Sequence, residues 1–152
     1  IAKVGARIMD LQEPQSKMGK SDSSESGAIF LSDTAKIIEK KFKRAVTDSG
    51  TEITYESEKA GVKNLLDIQS AITGRPTPEL VASYQGKMYG HLKLDTAAIV
   101  ADELTPIQDK ISRYLGDRGE LMQILKIGRD RAAEQAEKTI KRIHQRIGFV
   151  IS

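Results

Sequence analysis

The chain of 152 residues contains no cysteine. That absence removes disulfides, cysteine-based zinc sites and thiol chemistry, and it is compatible with a reducing compartment. Histidine is nearly absent too: His91 and His144 are the two present, neither has an acid–base partner close in sequence, and both read as surface or packing residues. The acidic residues show no metal-ligand spacing, so no protein-held metal is expected. No stretch approaches the ~20 apolar residues of a membrane span, so no membrane partner is expected. The N-terminus has neither an initiating methionine nor an apolar signal core; Ile1-Ala2-Lys3-Val4 reads as the middle of something longer. No internal repeat or low-complexity tract is visible.

What is present is ordinary for a globular domain. The chain is 39% hydrophobic and 30% charged, long enough to bury a core and to keep a well-solvated surface. Its net charge of +3 and pI near 9.1 permit an acidic partner such as nucleic acid without demanding one. A lysine-rich solvated surface would give the same balance.

The chemistry concentrates in Lys17-Met18-Gly19-Lys20-Ser21, continued by Asp22-Ser23-Ser24-Glu25-Ser26-Gly27. Two ammonium groups on a polar loop can close over a triphosphate, each close charge pair contributing roughly 4 kcal/mol at an effective dielectric of about 20. Lysine suits this as a compact charge on a flexible stem. Gly19 relaxes the backbone, while the hydroxyls and Asp22 offer local turns that compete with helix. This is the composition of an ATP-handling loop. It is not a P-loop, whose pattern needs glycine five residues before Gly19-Lys20-Ser21; that position is Pro14.

The rest of the chain reads as mainly α. Residues 1–31 lack helical periodicity and hold Gly5, Pro14, Gly19, Gly27 and many serines, the composition of a functional loop between folded bodies, and a boundary is expected near residue 31. Ser32 or Asp33 is placed to cap a helix over 34–46, with Ile38, Phe42, Ala45 and Val46 on one face. Its other face carries Lys36, Lys40, Lys41, Lys43 and Arg44, readable equally as a solvated or a phosphate-contacting surface. Thr51 to Tyr55 alternates briefly and reads as a connector with little sheet. A helix is predicted over 60–73 on Val62, Leu65, Leu66, Ile68, Ala71 and Ile72, stopped by Gly74 and Pro76. Thr77 then caps a short helix through Leu80, Val81 and Tyr84, ended by Gly86.

The stretch 91–115 is amphipathic through Leu92, Leu94, Ala98, Ile99, Val100, Leu104, Ile107, Ile111 and Leu115, and Pro106 must kink it or begin a new helix. A last helix is predicted over about 120–146, on Leu121, Leu125, Ala132, Ala136, Ile140, Ile143 and Ile147, with Gly148 ending it. Five or six helices, each burying one stripe, make a helical bundle.

The lysine loop resembles the Lys-Met-Ser-Lys-Ser signature of the class I aminoacyl-tRNA synthetases, with Gly19 where that signature usually has serine. Gly5-Ala6-Arg7-Ile8-Met9 leads into Leu11, Pro14 and the loop, and Ala45-Val46-Thr47-Asp48-Ser49 follows one helix later. With Asn64-Leu65-Leu66-Asp67-Ile68, Leu104-Thr105-Pro106-Ile107-Gln108 and Ile147-Gly148-Phe149, the resemblance covers nearly the whole chain and is to the tryptophanyl-tRNA synthetases of bacterial type.

The resemblance implies that residues 1–31 are the C-terminal edge and lysine loop of a Rossmann-like catalytic domain. Residues 32–152 would be a helical anticodon-binding domain whose last helix could instead brace the catalytic body. A second class I signature, with two histidines, is not in this chain. The implied parent activity is activation of tryptophan by ATP, as its Mg²⁺ complex, to tryptophanyl-adenylate and pyrophosphate, followed by transfer to tRNA(Trp). Lys17 and Lys20 would be the catalytic cations, with most weight on Lys20. Ile8, Lys17, Met18, Gly19, Lys20 and Ser21 would bind ATP, Ser21 through its hydroxyl and the backbone around Ile8 and Met18 against the adenine. The parent would be a cytoplasmic homodimer holding tryptophan and ATP mainly through its N-terminal domain, and this chain alone would make no adenylate. Two other readings stay open: a non-catalytic helical tRNA-binding or interaction module, whose affinity would fall with salt, and a purely structural bundle.

Overall fold

The computed structural model describes residues 7–21 and 24–148. Asp22 and Ser23 of the lysine stretch, Gly5-Ala6 before it and the closing Phe149 lie outside the described residues. The structure is mainly helical, with α1 Ala35–Lys43, α2 Ala60–Thr73, α3 Thr77–Ser83, α4 Tyr89–Gly116 and α5 Arg118–Ile147, and no strand among the described residues. The chain divides into two compact units, Ile1–Gln108 and Asp109–Ser152. Residues 7–21 and 24–31 thus belong to the same unit as α1–α3.

The first unit contains one apolar core. Leu11, Ile38, Phe42, Val62, Leu65, Leu66, Leu80 and Leu92 are almost wholly buried in it. α2 is its centre, because Gly61, Val62, Asn64, Leu65, Leu66, Ile68, Gln69 and Ser70 are all buried, leaving little of the helix in water. Gly61 lets it approach this closely: a Cβ there would run into the Val46 carbonyl oxygen, which belongs to the backbone and cannot swing away. The helix stops at Gly74, whose φ of 70° is left-handed and favours glycine.

The core also holds a satisfied polar network. The Gln69 amide donates to the Tyr84 hydroxyl at 2.9 Å and to Thr96 Oγ1 at 2.8 Å. Tyr84 in turn donates to Asp95, and Thr96 to the Leu92 carbonyl. Burial, with the Asp95 carboxylate beside it, pushes the Tyr84 phenol up to about 12. Tyr89 is likewise raised to about 12 by burial and by its hydrogen bonds to both Asp48 carboxylate oxygens. Burial works against ionisation of Asp48, yet the bonds from Tyr89 and the Gly50 N–H leave its carboxyl below the usual range.

Several local expectations are corrected. The N-cap of α1 is Thr34, which accepts from the Ile37 N–H, and neither Ser32 nor Asp33 caps it; Asp33 is pulled into a buried ion pair instead. The helix ends at Lys43, because the Val46 N–H leaves to bond the Leu11 carbonyl at 2.7 Å; Val46 is consequently exposed. Lys41 leaves the expected basic face altogether and is buried. Thr77 is the first residue of α3, not its cap, and the N-cap is Pro76. α4 continues as one assigned helix through Pro106. Its buried residues are Tyr89, Leu92, Thr96, Ala97 and Val100, a narrower stripe than the predicted one, with Leu94, Ile107, Ile111 and Leu115 exposed.

In the second unit, Asp117 caps α5 by accepting from the Glu120 N–H, and Gly148 ends it at φ 75°. The expected buried stripe is not buried: no residue of α5 is, and Leu125, Ile140, Ile143 and Ile147 are each about half exposed or more.

Candidate functional site

The lysine loop is entered through a short paired turn. Met9 and Lys17 form an isolated antiparallel bridge, the Met18 N–H donates to the Ile8 carbonyl at 3.0 Å, and the Asp10 N–H to the Ser16 carbonyl at 2.9 Å. Pro14 sits in the turn between them. Asp10 Oδ1 accepts from the Gln12 and Glu13 N–H groups, which closes that turn locally.

α2 holds this turn in place through Asn64. Its side-chain oxygen accepts from the Met9 N–H at 2.9 Å, while its amide donates to the Met9 carbonyl at 2.8 Å. A buried asparagine therefore pairs with Met9 on both sides, as a neighbouring strand would. On the far side of the loop, the Leu11 N–H donates to the Gly27 carbonyl at 2.9 Å. Gly27 itself lies so close to the Asp10 carboxylate that a Cβ would collide with it.

After Gly27 the chain runs as a strap, residues 28–32, opposite the lysine loop. The two enclose an open cavity of about 600 Å³ lined by Met18, Gly19 and Lys20 on one side and Ala28, Ile29, Phe30, Leu31 and Ser32 on the other. Behind it, Ile8 and Met18 join Phe42, Ile68, Ile72 and Leu104 around an apolar cavity of about 250 Å³. Met18 faces both.

Of the residues singled out from sequence, Met18, Gly19 and Lys20 thus come together at one opening, and Ile8 meets Met18 through backbone and through the apolar cavity. Lys17 and Ser21 are exposed and line neither cavity. Lys20 is exposed at the mouth of the larger one. An ammonium beside an apolar-walled cleft can neutralise an anionic group while the walls take a flat, weakly polar one. Among the described residues no group of three or more histidines, cysteines or carboxylates could hold a metal ion.

Sequence reasoning missed the residues that frame the opening. Asn64 carried the one legible signal, a polar side chain among the apolar positions of a buried helix. Asp33, Lys41 and Gln108 gave none, since the Asp33–Lys41 pair spans 8 residues and the bond from Gln108 to Leu31 spans 77.

Comparison with known proteins places these observations in a lineage. The family model described as tRNA synthetases class I (W and Y) matches residues 3–105. Tryptophan–tRNA ligase of Mycobacterium leprae is 46% identical over 151 residues, and that of Clostridium perfringens 43% over 150. Each alignment takes in 99% of this chain, but 44% and 45% of those relatives, so the chain spans about half their length. Among solved structures, tryptophanyl-tRNA synthetase from Mycoplasma pneumoniae superposes with a TM-score of 0.81 at 30% identity, over 97% of this chain and 45% of that one. The enzyme from Campylobacter jejuni, solved with ADP and tryptophan, gives 0.70 at 25% identity, over 94% and 44%.

Proposed function

This chain belongs to the class I tRNA synthetases of the tryptophan and tyrosine type, and from that premise we propose that it supplies the C-terminal part of a tryptophan–tRNA ligase. Tryptophan is favoured over tyrosine because the curated relatives at 41–46% identity carry the tryptophan name. In the parent reaction the tryptophan carboxylate attacks the α-phosphate of ATP, the bond to the β-phosphate bridging oxygen breaks, and pyrophosphate leaves. The adenylate then passes its acyl group to the 3′ end of tRNA(Trp), releasing AMP. No covalent enzyme intermediate is required.

The observation that carries this reading is the cleft between Lys20 and the strap, in a chain of this lineage. Catalysis of phosphoryl chemistry rests on positioning and on stabilising charge as it develops on oxygen. Lys20, exposed at the mouth of this cleft, is the cation we assign to the triphosphate and departing pyrophosphate. Lys17, exposed three residues earlier, adds a second ammonium when the loop closes, and Ser21 a hydroxyl. Gly19 gives the backbone room to approach a phosphate. The Met18 N–H and Ile8 carbonyl already bond each other, so adenine contact here falls to other atoms of these residues and to their side chains. Mg²⁺ enters as the ATP complex.

Residues 1–31 then form the edge of the catalytic domain and residues 32–152 the anticodon-binding domain, a functional boundary in the parent. The parent is proposed to be a cytoplasmic homodimer. No helix among the described residues is long and apolar enough to cross a membrane. The chain by itself lacks the second class signature and is expected to make no adenylate.

The test is amino-acid-dependent ATP–pyrophosphate exchange by the full-length protein containing this chain, tried with each amino acid. Exchange with tryptophan alone is expected. Exchange with tyrosine alone would reassign the substrate, and exchange with none would leave the non-catalytic tRNA-binding module as the better reading.

A further inference from the structure

The strap that walls the nucleotide-side cleft is held by an arrangement that its packing alone does not require. Lys41, on α1, is 7% exposed and Asp33 8%. The Lys41 ammonium donates to Asp33 Oδ2 at 2.7 Å and to the Ala28 carbonyl at 2.9 Å, and it lies 4.7 Å from the centre of the Phe30 ring. The same Asp33 oxygen accepts from the Phe30 N–H at 2.9 Å, and the Asp33 N–H donates to the Phe30 carbonyl at 3.0 Å. From α4, the Gln108 amide donates to the Leu31 carbonyl at 3.0 Å and to the Asp33 carbonyl at 2.8 Å. One ammonium and one amide therefore reach backbone at both ends and in the middle of a six-residue segment.

A buried ion pair is a poor device for stability alone, since the desolvation of both charges offsets much of their attraction and an apolar pair of similar size often does as well. In this fold it also ties down one backbone geometry, through the Ala28 carbonyl and the Phe30 N–H. Here that geometry belongs to Ala28, Phe30 and Leu31, which face Lys20 across the cleft. An apolar side chain at position 41 could fill the volume but could not hold the Ala28 carbonyl or the Phe30 peptide in register.

We infer that Asp33, Lys41 and Gln108 are positioning residues for the nucleotide side of the active site, setting the strap against which Lys20 closes. The inference rests on the proposed ligase function. None of the three touches the reacting atoms; they act through the strap. A displacement of about 1 Å at a reacting centre can reduce rate on the order of a hundredfold, so loss of this frame should be readable in ATP kinetics.

The experiment uses the full-length protein with two variants. The apolar replacement Asp33→Leu/Lys41→Met removes both charges together and leaves no unpaired buried ion. Gln108→Leu unhooks the strap from α4 at a partly exposed side chain and keeps the test decisive if the double variant does not fold. Thermal melting and ATP–pyrophosphate exchange are measured on each. The inference expects melting temperatures near wild type, a KM for ATP raised on the order of tenfold, and an unchanged KM for tryptophan. A merely structural role would lower melting temperature and active fraction while leaving both KM values alone, and that outcome overturns it. Wild-type exchange with unchanged variant kinetics overturns the inference and spares the functional reading; no exchange by the wild type overturns both.

Discussion

The two units of this chain carry apolar stripes of similar appearance in sequence and treat them in opposite ways. In Ile1–Gln108, α2 buries eight of its residues, whereas α5, more than twice as long and wholly within Asp109–Ser152, buries none. The difference lies in what each stripe meets. Leu65 and Leu66 belong to one core with residues of α1, α3 and α4 and with Leu11 of the turn that leads into the lysine loop. Periodicity reports that a helix has an apolar side; it does not report whether a partner for that side lies within the chain.

The largest expected break in this comparison is Phe42→Ala. Phe42 is 1% exposed and also lines the apolar cavity under Met18, so truncation should cost about 3–5 kcal/mol. Urea unfolding of the chain would measure it, and a loss under 1 kcal/mol would mean that the first unit is not packed as described.

A second effect, spread over two hydroxyls, should appear at alkaline pH. Tyr84 and Tyr89 are raised in the fold to about 12 from an ordinary 10.0. Their neutral forms therefore contribute stability that is present below pH 10 and is lost as pH rises from 10 toward 12. Thermal melts across that range should fall, and Tyr84→Phe/Tyr89→Phe should flatten the decline whatever it does to stability at neutral pH. An unchanged slope would place these hydroxyls outside the folding linkage.

The smallest effect belongs to α5. Leu125→Ala removes an exposed side chain and should change stability by no more than about 0.5 kcal/mol in the isolated chain. A cost comparable to that of Phe42→Ala would show that the helix buries Leu125 in solution.

What could be read from sequence follows the range of the interactions. α2 is bounded as its pattern predicts, 60–73, because Val62 through Ile72 repeat at helical spacing and Gly74 followed by Pro76 supplies a local stop. The lysine loop was visible for the same reason: Lys17 to Ser21 is a contiguous pattern, and the flanking residues gave it a lineage that the comparisons bear out. The errors lie where distant residues intervene. Asp33 reads as a helix cap until Lys41 takes its carboxylate, and Lys41 reads as one more surface lysine until Ala28 and Asp33 receive it. Val46 reads as helical until the Leu11 carbonyl captures its N–H. The narrow stripe of α4 and the bare one of α5 are errors of the same kind, in which a regular pattern was assigned a burial that tertiary structure does not provide.

The site itself divides in this way. Its candidate residues, Lys17, Met18, Gly19, Lys20 and Ser21, are contiguous and could be read locally, although only Met18, Gly19 and Lys20 line the cleft. Its frame could not: the Asn64 clamp on Met9 spans 55 residues and the Gln108 clamp on Leu31 spans 77. Such bonds leave no periodicity behind them.

The central claim is that Lys20 works on the triphosphate from the mouth of the cleft, and it is tested most directly by tryptophan-dependent ATP–pyrophosphate exchange in the full-length protein before and after Lys20→Ala. Loss of one preorganised charge on a developing oxyanion should reduce kcat by roughly 10²-fold or more, with melting temperature unchanged because Lys20 is exposed. Exchange within threefold of wild type would contradict the account and leave the cleft without a catalytic role.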